Sequence, residues 1–257
     1  MTALTTLSPE QIAREVDALA ARYRQANGIG IQILNMAGEQ AENLLTRIPE
    51  PMRNRMDEIT EKALFAALET AARTRGQGLP DGSARINTWA SAVMGAAGGV
   101  GGLPSAMAEL PVTVTLLMRA IQGIAAEYGF DPETEALKAD CVQVFAAAGP
   151  LTDDDGANTG FLSARVAITG PALQTIVARV APRLAAALGP KLAAQSVPIL
   201  GAVAGAGINA AYTRYYQEIA HVQFGLKKLA IDNDVPEEDL RAQLVEKMGK
   251  PPVQRAG

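Results

Sequence analysis

Apolar residues in this chain recur mostly every three to four positions, the period of a helix that buries one face. The first such run follows Ser8-Pro9-Glu10-Gln11. Ser8 can cap a helix, Pro9 suits its first turn, and Gln11 stands where a capping-box partner belongs. Ile12, Val16, Leu19, Ala20 and Tyr23 form the stripe to be buried, and Asn27-Gly28 is predicted to end the helix. Residues 29–48 are a second helical stretch with Gly38 as its weak point. Residues 49–75 are a third, charged in its first half and stopped by the glycines between Gly76 and Gly82. A further helix is predicted over residues 111–128, after Pro111 and closed by Gly129. Asp131-Pro132-Glu133 starts another, with Leu137, Cys141, Val144, Phe145 and Ala148 facing inward as far as Gly149-Pro150.

Asp153-Asp154-Asp155-Gly156 is the clearest surface loop, and Ala-rich helix resumes from Phe161 towards Pro198, broken at Gly189-Pro190. The most regular period is Ile208, Tyr212, Tyr215, Ile219, Val222, Leu226 and Leu229, a four-three alternation that predicts a long amphipathic helix packed on a partner. A last helix takes Asp234 as cap with Glu237 three residues on, and ends at Gly249 and Pro251. No strand-like alternation and no fixed-period repeat is present. The pattern predicts an all-α protein: one helical domain over residues 1–257, a compact multi-helix bundle with Gly/Ala-rich central helices.

Two stretches between these helices carry no charge, one between Arg85 and Glu109 and one between Lys191 and Arg214. The first contains Gly95-x-x-x-Gly99 and Gly98-x-x-x-Gly102, the second Gly201-x-x-x-Gly205. Glycines four apart leave a groove on a helix that admits another backbone. Each costs a helix in water up to about 1 kcal/mol relative to alanine, so their density calls for a compensating benefit. Three benefits are open: tight packing inside the core, contact with a bilayer by a hairpin turning near Gly101-Gly102 and Leu103-Pro104, or a groove for an apolar ligand. Trp89 stands at the edge of the first stretch, as an interfacial anchor would. Both stretches reach the ~20 residues that a membrane span needs, but Gly and Ala transfer poorly into lipid, so full spanning is not expected.

The same regions carry a family likeness. It rests on Gly101-Gly102-Leu103-Pro104 through Ala108-Glu109-Leu110-Pro111, then Leu116-Leu117-Met118-Arg119 and Ile124-Ala125-Ala126-Glu127-Tyr128-Gly129. It continues in Pro198-Ile199-Leu200-Gly201-Ala202-Val203-Ala204-Gly205, Asn209, Arg214 and the helix to Leu229. In order and spacing these resemble the EcsC protein family over roughly residues 61–229, leaving short helical extensions at both ends. The resemblance implies a helical bacterial protein that works at or near a membrane, since the family is named after a protein encoded beside two components of an ABC transporter. The family has no established biochemical activity and supplies no catalytic residues to carry over.

Composition narrows the chemistry. Hydrophobic residues make up 48% and charged residues 19%, which is a folding chain. With aromatic residues at 4%, the core must be built mainly of aliphatic side chains. A net charge of −4 argues against a nucleic-acid partner, which selects for clustered Lys and Arg. One cysteine, Cys141, cannot close an internal disulfide, and the start of the chain lacks the basic and apolar regions of a signal peptide. One histidine, His221, with one cysteine leaves too few ligands for an ordinary zinc site, and the Asp153–Asp155 run lacks the spacing of a calcium hand. Cys141 falls on an apolar face, where it acts as a small hydrophobe. His221 shares a polar stripe with Arg214, Glu218 and Lys228, to be read as a solvated face with an Arg214–Glu218 pair before it is read as a general base. The glycine run lacks the Lys-Ser/Thr ending of a phosphate loop.

Glu109 sits just before Pro111, where its carboxylate would face the positive end of a helix. Thr115, Arg119 and Gln122 form one polar stripe and Asn209, Thr213 and Tyr216 another. These stripes either face water, satisfy each other, or bring Glu109, Arg119, Asn209 and Arg214 together as a polar pocket for a group such as a lipid headgroup. The sequence favours a non-enzymatic, cytoplasmic protein that needs no cofactor. It is expected peripherally on the inner face of the cytoplasmic membrane, with a lipid or a membrane-transporter component as partner. Two other readings stay open: a soluble enzyme using a buried carboxylate such as Glu109 with Arg119, and a carrier of an apolar, lipid-like ligand.

Overall fold

The four-three alternation of the long segment becomes one 33-residue helix in the computed structural model, Gly201–Asn233. The structure describes residues 6–37, 50–73, 102–146, 172–195 and 201–248. In chain order the helices are α1 (Pro9–Ala37), α2 (Glu50–Arg73), α3 (Gly102–Glu127), α4 (Glu135–Val144), α5 (Ala172–Gln195), α6 (Gly201–Asn233) and α7 (Glu237–Met248). No strand occurs among the described residues, and the protein is all-α.

On α6 the predicted stripe Tyr212, Tyr215, Ile219, Val222, Leu226 and Leu229 is buried. So are Tyr216, Ala220, Gln223 and Phe224, which point to other sides of the same helix. The helix is therefore a spine covered on several sides, not an amphipathic helix with one wet face. It packs against α1, α3, α4, α5 and α7, and α2 packs on α3 and α5. Three of the five tyrosines lie on it. Tyr216 packs edge-on to Phe145 and Tyr215 at ring separations of 5.1 and 5.2 Å, and the Tyr212 hydroxyl donates to the Ala187 carbonyl of α5. Complete burial pushes the hydroxyls of Tyr212 and Tyr216 far up from the ordinary phenol range, so both stay protonated.

Contacts along the spine fix its neighbours' directions. Leu7 and Arg22 meet Asn233 and Glu218, so α1 runs antiparallel to α6. Asp140 and Phe145 meet Lys227 and Tyr216, so α4 is antiparallel too. Glu109 meets Asn209 and Tyr128 meets His221, so α3 runs parallel to α6. The starts of α3 and α6, Gly102 and Gly201, thus lie at the same end of the bundle. At the other side, α7 is held to α1 by Lys247, which pairs with Asp17 at 2.7 Å and donates to the Ala13 carbonyl at 3.0 Å.

Helix starts follow the local chemistry closely. The Ser8 amide donates to Gln11 Oε1 at 2.8 Å and the Gln11 amide to Ser8 Oγ at 3.3 Å, the reciprocal bonds of a capping box. Helix ends correct several expectations. Gly28 does not end α1, which continues to Ala37. A glycine stops a helix by turning left-handed, and Gly28 stays helical, whereas Gly129 at φ +83° does stop α3. Its amide donates to the Ala126 carbonyl and that of Phe130 to the Ala125 carbonyl, a Schellman closure.

Pro111 lies inside α3 instead of starting a helix, and Gly189-Pro190 lies inside α5 instead of breaking it. A proline removes one ladder bond, and helices of 26 and 24 residues packed on several neighbours retain enough contacts to carry that loss. The helix predicted from Asp131 begins later, at Glu135. Asp131 takes the Glu133 amide in a turn, and Thr134 is the cap that accepts from Leu137 at 3.3 Å. Asp234 does not cap α7 but closes α6, with φ +52° and the Val235 amide donating to the Ala230 carbonyl.

Candidate functional site

Of the polar residues singled out on α3 and α6, Glu109 and Asn209 meet across the two helices, joined by Thr113, which the sequence pattern did not mark. Asn209 Nδ2 donates to Glu109 Oε1 at 3.0 Å, and the Thr113 hydroxyl approaches the same oxygen at 3.4 Å. Thr113 stands one turn beyond Glu109, the spacing at which helical side chains meet. One turn beyond Asn209, Thr213 donates to the Asn209 carbonyl at 2.9 Å. Glu109, Thr113, Asn209 and Thr213 are all buried, so this is an interior link between two parallel helices, not a wet face. Because α3 begins at Gly102, Glu109 lies within it. Its carboxylate is held by side chains and does not face a helix start as expected.

The two arginines do not join it. Arg119 is ten residues further along α3, about 15 Å of helical rise from Glu109, and partly exposed. Arg214 is exposed. Gln122 and Tyr216, from the two polar stripes, are buried in the interior instead of facing water. Gly102 and Gly201 are the first residues of α3 and α6, and Gly205 lies in the second turn of α6. The packing of these three falls outside the described residues, as do Trp89, Gly95, Gly98, Gly99 and the Asp153–Asp155 loop.

His221 is not on a solvated stripe. Its ring stands edge-on to Tyr128 at 5.8 Å, and its Nδ1 finds no hydrogen-bond partner among the described residues. Burial holds its pKa below the usual histidine range. Arg22 pushes the same way and Glu218 opposes. Glu218 pairs with Arg22 of α1 at 2.9 Å, across helices, in place of the expected Arg214. Beside this edge a cleft of about 340 Å³ opens between α1 and α6, bordered by Glu15, Leu19, Tyr128 and Gly225. Nothing in the sequence period signals it, because Gly225 reads only as a gap in a helix. Its meaning appears when a Cβ placed there meets Leu19 Cδ2 at 2.8 Å and Tyr128 Oη at 3.2 Å.

Cys141 is buried in the core. No group of three His, Cys, Asp or Glu side chains able to hold a metal occurs among the described residues. What the interior offers instead is a fully packed carboxylate–carboxamide–hydroxyl link.

These features define an all-α bundle whose parallel central helices, α3 and α6, are tied by a buried polar link near their starts. The chain belongs to the EcsC protein family, whose sequence profile matches residues 32–229, most of the chain. The match ends at the same Leu229 as the likeness noted above and begins 29 positions before residue 61. A Bacillus subtilis (strain 168) protein, named uncharacterized protein YdbA, is 27% identical over 130 residues, covering 51% of this chain and 44% of that protein. The chain thus spans under half the length of that curated relative. No solved structure matches.

Proposed function

We propose that the protein is a non-catalytic helical protein that associates peripherally with the membrane, or with a membrane transport assembly, through the end of the bundle where α3 and α6 begin. One observation carries this reading. Two charge-free stretches, each with glycines four apart and about a hundred residues apart in sequence, feed two parallel helices joined by Glu109 and Asn209. The two helices start at one end of the bundle, which supports reading the glycine-rich stretches before them as one apolar surface. Among the described residues no helix is long and apolar enough to cross a membrane. Few large apolar side chains are exposed on the described surface, Val112 and Ile231 among them, so the described helices offer no competing apolar patch.

The test is flotation with liposomes. A net charge of −4 gives anionic lipid no purchase, so binding is expected with zwitterionic and anionic vesicles alike and only weakly dependent on salt. Trp89, the only tryptophan, is expected to shift its emission to the blue on binding. Protein that stays at the bottom of the gradient with both lipids, with Trp89 emission unmoved, rules out direct membrane contact and leaves the assembly partner. Fractionation of cells in low salt, high salt and carbonate then separates peripheral behaviour from the rest.

A further inference from the structure

The cleft between α1 and α6 lies far from that end. Asn209 and Leu229 are twenty residues apart on one helix, about 30 Å of rise, and Leu229 borders the cleft. We infer that this cleft binds a small organic cation with an apolar body, such as an alkylammonium, its charged head at Glu15 and its chain against Leu19 and Leu229.

Size comes first: 340 Å³ falls within the range of pockets that take small molecules. The walls are mixed. Leu7, Leu19 and Leu229 supply apolar surface, and Gly225, by having no side chain, lets Leu19 and the Tyr128 hydroxyl pack close against α6. The Tyr128 hydroxyl borders the same space and is not sealed from solvent. Burial holds its pKa above the ordinary phenol value, so it remains a neutral donor or acceptor at physiological pH.

Charge decides the class of ligand. Lys228, the cation on the wall, is engaged by Asp232 at 2.8 Å. Arg22 is engaged by Glu218 at 2.9 Å. Both cations near the cleft are thus neutralised in place. Glu15 has no such partner among the described residues; at the Tyr128 hydroxyl the Arg22 cation acts most strongly among the charges, opposed by the carboxylates of Glu127, Glu218 and Glu15. An anion entering here would meet unbalanced carboxylates and two cations already bound. A cation would find Glu15 waiting.

The test is isothermal titration calorimetry of the full chain, without lipid, at neutral pH and low salt, using n-hexylammonium, n-hexanoate and n-hexanol as probes. Hexylammonium is expected to bind more tightly than the other two. Glu15→Gln is expected to weaken it about two- to five-fold, the worth of a partly exposed ion pair. Glu10→Gln, which removes an exposed carboxylate from the first turn of α1, is the control for general attraction to an acidic protein and is expected to change nothing. Equal binding of hexanoate or hexanol, no binding of hexylammonium, or an unchanged affinity in Glu15→Gln each overturns the proposal. Liposome flotation is read at the opposite end of α6, so either idea can fail alone.

Discussion

Arg22 on α1 holds Glu218 on α6 at 2.9 Å, joining positions 196 residues apart and setting a guanidinium near His221. That placement makes stability depend on pH. The groups facing His221 are Tyr128, Arg22 and Glu218, and the net result is a folded-state pKa below 6.5. The unfolded chain then binds a proton that the folded chain refuses, so stability rises with pH across this window. The contribution is complete above pH 6.5 and is lost as pH falls towards the folded pKa. Urea midpoints measured across that window are expected to fall with acidity in the parent and to fall less steeply in His221→Gln. Parallel curves for the two proteins would remove His221 from the account.

The Glu109–Asn209 link is expected to behave as a buried hydrogen bond between two helices. Asn209→Ala leaves the carboxylate short of a donor and opens a small cavity, at a cost of about 2–3 kcal/mol. Glu109→Gln keeps the shape and is expected to cost less. The double replacement Glu109→Leu with Asn209→Leu removes the polar groups together and is expected to recover part of the loss. Chemical denaturation checks all three. If Asn209→Ala melts like the parent, the bond contributes nothing and the two helices are held by packing alone.

Gly225 separates propensity from space. Alanine there gains up to about 1 kcal/mol of helix propensity. Its Cβ would meet only the ends of two side chains, Leu19 Cδ2 and Tyr128 Oη, both beside the open cleft and able to move. Gly225→Ala is therefore expected to stay within about 1 kcal/mol of the parent. Gly225→Leu has no such escape and is expected to cost about 1–3 kcal/mol. A Leu variant as stable as the parent would show that α1 does not sit close to α6 at this point.

Two helix ends predict opposite signs. Gly129 and Asp234 both hold left-handed backbone, at φ +83° and +52°. A Cβ at position 129 meets nothing within 4 Å, so the cost of Gly129→Ala is conformational alone, about 1–2 kcal/mol. Asp234→Gly relieves the same strain and is expected to stabilise by up to about 1 kcal/mol. Thermal unfolding of the two variants checks the pair, and shifts of the same sign would contradict it.

Much of the fold was legible in single residues. The Ser8–Gln11 capping box, the Gly129 stop and the buried stripe from Tyr212 to Leu229 each follow from local chemistry that repeats in any helix. The likeness to the EcsC family was legible as well, in short runs whose order does not depend on folding. The candidate site was legible only in part. Glu109 and Asn209 stood out as polar residues in apolar surroundings, while Arg119 and Arg214 stood out for the same reason and lie apart from the link.

By itself the sequence determined that the chain is helical, where its clearest caps lie and one buried stripe of α6, because these depend on neighbours within about one turn. Tertiary structure decided what local signals leave undetermined. Gly28 and Pro111 sit inside helices because packing on α6 and α2 sustains α1 and α3 through a missing or weakened bond. Glu109 and Asn209 are buried because each finds the other across the parallel interface of α3 and α6. Glu218 turns from Arg214 to Arg22 because a partner on another helix comes within reach only once the chain has folded, and a half-buried pair is less screened by water than one on an open surface.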